Sequence, residues 1–145
     1  MSYKIFVKKL RKCPFCILKK EEILKENKNA MLIVSRAPYT KDHLLVIPKK
    51  HILMVNKLSK NQKDDFEELV YYGLKKLHGK YSSVNILYRE GKKKEVGKSI
   101  SHLHYHLIPK IQIVVEEEGW EKRKVFSDKE YLKKTSSMKK SLKIK

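Results

Sequence analysis

The sequence predicts an α+β fold built on an antiparallel sheet. Three observations predict it: several short β-prone runs closed by turn residues, one long amphipathic stretch over residues 59–78, and no strand–helix–strand alternation of the kind a parallel sheet needs. The length of 145 residues suits one domain spanning 1–145. With 41% apolar residues, the chain has enough apolar side chain for a packed core although 35% is charged.

Tyr3, Ile5 and Val7 alternate with polar neighbours except at Phe6, which suggests a first strand. Residues 22–26, the Asn27-Lys28-Asn29 turn and residues 30–35 read as a β-hairpin. After the loop Ala37–Thr40, His43–Ile47 forms a third strand ended by Pro48. The long helix starts near Ser59, with Gln62 placed three later as in a capping box. Its stripe is Phe66, Leu69, Val70, Gly73, Leu74 and Leu77. His78-Gly79 ends it, the glycine supplying a left-handed cap and the imidazole facing the negative end of the helix dipole. Val84–Tyr88 is a strand, Arg89–Lys98 a polar loop, and Ile100–Ile108 a strand ending at Pro109. Ile111–Val115 is β-prone and precedes the acidic run Glu116–Glu118. Ser127 and Glu130 have capping-box spacing for a short helix over 128–140, after which the last residues fray. The core is expected over about 13–110, with 121–145 as a basic extension.

The net charge of +19 is concentrated at the ends. Residues 1–20 hold seven basic and no acidic side chains, and 121–145 hold ten basic and three acidic. Such ends attract polyanions, so weak nucleic-acid association through the basic termini is expected. Only Arg11, Arg36, Arg89 and Arg123 are arginines, and a lysine excess suits diffuse attraction better than base readout. No apolar run reaches the roughly 20 residues needed to cross a bilayer. The lysine-interrupted N-terminus does not read as a signal peptide. A soluble, cytoplasmic protein without a membrane partner is expected.

Chemistry concentrates in His102-Leu-His104-Tyr-His106. On a strand, period two places these three imidazoles on one face and Leu103, Tyr105 and Leu107 on the other, toward the core. Three buried imidazoles on one face need a function, because their nitrogens must all be satisfied. No serine or cysteine sits in a recognised nucleophile elbow, so a histidine is itself the candidate nucleophile, suited to attack at phosphorus. Cys13-Pro-Phe-Cys16 is half of a zinc site by spacing. A thioredoxin-like redox pair is the rival reading, but the βαβ context it needs is missing. If zinc binds, His51 and one member of the triplet are the available remaining ligands.

These blocks resemble the histidine triad (HIT) superfamily. His102-Leu-His-Tyr-His-Leu-Ile-Pro109 is similar to its signature, His43–His51 to its upstream block, and Cys13-Pro-Phe-Cys16 to the C-x-x-C of zinc-bearing members. His106 in the third position points to the Hint/Fhit-like hydrolases. The resemblance implies a five-stranded antiparallel sheet with a long helix, and a homodimer. It implies nucleotidyl transfer onto His104 at the α-phosphate of a nucleotide substrate, with His43, His106 and Ser99 beside the phosphate or leaving group. Structural zinc would be held by Cys13, Cys16, His51 and His102. At the nucleoside the chain departs from the pattern: Ser35 stands where many members carry an acid, Arg89 replaces an asparagine ahead of Gly91, and Lys98 replaces a glutamine. The loop is also lengthened by Lys92–Lys94.

The function expected is therefore hydrolysis of a phosphoramidate or dinucleoside polyphosphate. The alternatives are removal of adenylate from nucleic-acid ends, and a nucleotide- or RNA-binding module without turnover.

Overall fold

The computed structural model describes residues 2–98, 100–111 and 123–145. Its centre is a five-stranded antiparallel sheet of β1 (Ile23–Glu26), β2 (Ala30–Val34), β3 (Leu44–Pro48), β4 (Val84–Leu87) and β5 (Tyr105–Pro109), in the order β1-β2-β3-β5-β4. Helices add α1 (Tyr3–Leu10), α2 (Lys60–His78), α3 (Lys93–Val96) and α4 (Asp128–Ser141). No helix among the described residues is long and apolar enough to cross a membrane.

The β1–β2 hairpin turns on Asn27, whose Oδ1 accepts the amides of Ala30 (2.9 Å) and Asn29 (3.3 Å). Every residue of β2 and β3 is buried, because both faces of the sheet are covered. On one face Leu32, Val34, Leu44, Val46 and Leu107 meet Phe66, Leu69, Val70 and Leu77 of α2. α2 begins at Ser59, whose hydroxyl accepts the Gln62 amide while the Gln62 side chain accepts the Ser59 amide. Gly73 lets the helix approach closely: a Cβ there would lie 2.7 Å from Leu107 Cδ1 and 3.2 Å from Leu32 Cδ1. On the opposite face Met31, Ile33, Leu45 and Ile47 pack with Phe15 and Ile100, and Tyr3 and Val7 of α1 lean on them.

Four local expectations are corrected. Residues 3–10 form α1, not a strand: Tyr3, Phe6, Val7 and Leu10 are the half-buried positions, a helical period, and Ser2 caps the helix. Gly79 is right-handed (φ −67°), because the last turn closes with tight bonds from Lys80 and Tyr81 to the Leu77 carbonyl. The 89–98 loop contains the single turn α3, and β5 begins only at Tyr105, so His102 and His104 precede the ladder. The C-terminus is docked: Leu142 and Ile144 are buried in the main core with Tyr131 and Met138, and Lys76 Nζ donates to the Lys143 carbonyl at 2.8 Å. The capping box of Ser127 and Glu130 does start α4. Ser99, residues 112–115 and Glu116–Glu118 lie outside the described residues.

The two basic ends of the chain meet at one side chain. The Arg36 guanidinium lies 4.5 Å from the Phe6 ring of α1 and 5.0 Å from the Tyr131 ring of α4. It pairs with Asp128, and its Nε donates to the Phe126 carbonyl at 3.0 Å.

Candidate functional site

The histidines gather on the face of the sheet opposite α2. His106 pairs across the ladders with Leu45 of β3 and Leu87 of β4, while its neighbour Leu107 is in the α2-side core. Leu103 also faces that core, with Tyr105 packed against it, so the alternation expected from the sequence holds although the first two histidines lie ahead of the strand.

Backbone groups set the imidazole tautomers. The Tyr39 amide donates to His43 Nδ1 at 3.1 Å, which leaves the His43 proton on Nε2. That Nε2 lies 2.9 Å from His106 Nδ1 and donates to it, so the His106 proton sits on Nε2. His104 Nδ1 donates to the His102 carbonyl at 2.6 Å, leaving Nε2 with a bare lone pair. Burial pushes His43 down to about 3 and His104 down to about 4, and holds His106 well below the ordinary imidazole value. Neighbouring imidazoles add to this depression, as does Arg123 at His43 and His106. All three rings are neutral at pH 7.

His104 and His106 line one cavity together with Ser35, Arg89 and Lys98, so the structure joins these candidates around a common space. His43 stands behind it, reached through His106. Ser35 is buried, and its amide donates to the His43 carbonyl at 2.9 Å. Sequence reasoning did not identify six further residues of this cavity: Tyr3 from α1, Phe15, Tyr39, Leu45, Ile100 and Arg123. Phe15 meets the rings of His102 and His104 edge-on, at 5.5 and 5.4 Å.

A second constellation lies on the other side of Phe15. One ligand atom from each of Cys13, Cys16, His51 and His102 falls within 4.8 Å of the others. His102 Nδ1 is 3.4 Å from Cys13 Sγ, 3.6 Å from Cys16 Sγ and 3.1 Å from His51 Nδ1, and Cys16 Sγ is 3.3 Å from His51 Nδ1. The edges of a tetrahedral zinc site with these donors are about 3.6 Å for S···N and about 3.3 Å for N···N. The four residues therefore fit a metal ion. His102 Nε2 donates to the Pro48 carbonyl at 2.9 Å, which turns the unprotonated Nδ1 toward the cluster. The thiols are not in a disulfide.

Thus the 102–106 run divides its chemistry. His102 faces the thiols, while His104 and His106 face the cavity, with Phe15 between the two sets.

Comparison with known proteins bears on the family and the fold. The family profile of the HIT domain matches residues 18–113. The chain is 31% identical over 102 residues to the adenosine 5'-monophosphoramidase of Schizosaccharomyces pombe, spanning 68% of this chain and 74% of that protein. Its fold superposes with a TM-score of 0.70 on the Plasmodium falciparum diadenosine triphosphate hydrolase in complex with cyclomarin A, at 20% identity over 97% of this chain and 96% of that one. A Zn-bound histidine triad family protein from Mycobacterium smegmatis gives a TM-score of 0.61 at 19% identity, over 92% of this chain and 94% of that one.

Proposed function

The chain belongs to the HIT domain family, and from that premise we propose that it is a hydrolase cleaving nucleotide conjugates at the α-phosphate through a nucleotidyl-His104 intermediate. The observation that carries this reading is the bare Nε2 of His104, held at the cavity by the bond from its Nδ1 to the His102 carbonyl. A neutral imidazole with a fixed tautomer is a ready nucleophile.

His104 Nε2 attacks phosphorus, the P–O or P–N bond to the leaving group breaks, and the leaving group takes up a proton from solvent. Water then adds at phosphorus and gives a proton back to solvent, the P–N bond to His104 breaks, and a nucleoside monophosphate leaves. His106 Nε2–H, oriented through His43 and the Tyr39 amide, donates to a non-bridging oxygen as negative charge develops there. Ser99 is the leaving-group contact in this reading. Ser35 contacts the ribose, and Arg89 and Lys98 contact the nucleotide. The relatives' names support both a phosphoramidate and a dinucleoside polyphosphate as substrate.

Cys13, Cys16, His51 and His102 would hold zinc as a structural crosslink. Bound there, zinc ties the N-terminal loop to the strand entry that carries His104. The protein acts as a homodimer in the cytoplasm in this reading.

Purified protein is expected to release AMP from an adenosine phosphoramidate or a diadenosine polyphosphate. Full activity in His104→Asn overturns the mechanism. Binding without any turnover favours a non-catalytic module.

One observation favours a second reading, adenylate removal from nucleic-acid ends. α1 places Tyr3 at the cavity while Lys4, Lys8 and Lys9 are exposed. A polyanion held on that face would have its end beside His104. Faster turnover of an adenylated DNA end than of a free dinucleotide supports this reading; the reverse order rejects it.

A further inference from the structure

We propose that Arg123 selects substrates whose leaving group carries phosphate. This deepens the hydrolase reading above and rests on it. Arg123 lies beyond residues 18–113, the span matched by the family profile, yet it lines the same cavity as His104 and His106.

Its position is built from two sides. Nη1 donates to the Ala37 carbonyl at 2.5 Å, and the guanidinium carbon lies 4.1 Å from the Tyr39 ring centroid. The Tyr39 ring is in turn 6.3 Å from the His106 ring. The Arg123 charge therefore stands on the Tyr39–His43 side of the cavity. Arg89 and Lys98 line the cavity as well, and their charges are felt at His104. Among the described residues lining it there are three cations and no carboxylate.

A single α-phosphate between two neutral imidazoles is served by their nitrogens and one neighbouring cation. A run of two or more phosphates carries the additional negative charge that further cations match. Arginine suits this role better than lysine, because its planar fork meets phosphate oxygens in pairs and stacks on an aromatic ring, as it does on Tyr39. A phosphoramidate that loses a neutral amine presents no such group to Arg123. A conjugate that loses a nucleoside diphosphate does.

The test compares wild type, Arg123→Gln and Arg123→Lys in two ways. Calorimetric titration with AMP and ADP reads the contribution of the second phosphate without turnover. Wild type is expected to bind ADP at least tenfold more tightly than AMP, and Arg123→Gln to lose most of that preference. Turnover of diadenosine triphosphate and of an adenosine phosphoramidate gives a ratio of kcat/KM values. Arg123→Gln is expected to lower that ratio at least tenfold, with Arg123→Lys recovering part of it.

An equal fall on both substrates marks a merely structural role and overturns the proposal. So does an ADP/AMP preference that Arg123→Gln leaves intact. If wild type binds neither nucleotide and turns over neither substrate, the hydrolase reading fails first and this one fails with it.

Discussion

His43 donates from Nε2 to His106 Nδ1 across 2.9 Å, with the Tyr39 amide held 3.1 Å from the other nitrogen of His43. Both nitrogens of His43 are thereby used inside the protein, so in the proposed mechanism it acts on substrate through His106. His43→Ala is expected to lower kcat by about 100-fold, the scale of losing one oriented donor in a preorganised site. His43→Asn, which retains an acceptor and a donor, should recover part of the loss. Steady-state kinetics on both variants checks this, and a wild-type kcat in His43→Ala contradicts it.

The same pair makes stability depend on pH. Burial holds His43 down to about 3 and His106 well below its ordinary value, whereas the unfolded imidazoles titrate near about 6.5. Below pH 6.5 the unfolded chain binds protons that the native pair refuses. The stabilisation is therefore complete above that pH and is lost as pH falls toward the native values. Each imidazole contributes a slope of at most about 1.4 kcal/mol per pH unit. Thermal melts from pH 7.5 to 5 are expected to show a falling Tm, with a shallower fall in His43→Gln. A flat Tm over that range contradicts the expectation.

Metal binding is expected to raise stability as well as to be stoichiometric. Elemental analysis of protein purified without chelator should find one zinc per chain, and Cys13→Ser should lose it. Chelation should lower Tm by several degrees, since a ligand bound only to the native state stabilises it. It should also speed amide exchange in residues 13–16. Metal-free protein with an unchanged Tm after zinc addition refutes the four-ligand assignment.

The docked C-terminus carries its own prediction. Leu142 is 3% exposed and belongs to the core shared with α2 and the sheet. Leu142→Ala is expected to cost about 2–4 kcal/mol, in the range for a buried leucine truncated to alanine. Denaturant unfolding measures it. A change within about 0.5 kcal/mol would place the C-terminus outside the core.

What the sequence made legible was local or strictly periodic. Ser59 and Gln62 announce α2 because the capping box is contained within four residues. The spacing of His102, His104 and His106 opposite Leu103 and Leu107 needs only the pleat of an extended chain. α1 departs from the expected strand because Tyr3, Ile5 and Val7 alternate by accident, while the positions that turn inward are Tyr3, Phe6, Val7 and Leu10. The groups that fix each imidazole, the Tyr39 amide and the carbonyls of His102 and Pro48, are backbone atoms that every residue possesses, so no side-chain pattern marks them. Arg123 reaches Ala37 across 86 positions of sequence, and nothing but its rarity among lysines distinguished it.

Arg36, held between Phe6 and Tyr131, ties the beginning of the chain to its end. Hydrogen exchange in α1 is therefore expected to be coupled to that at the start of α4, although most of the sequence separates them. Tyr3 of the same helix lines the cavity with His104, so loosening of α1 is expected to reach that cavity.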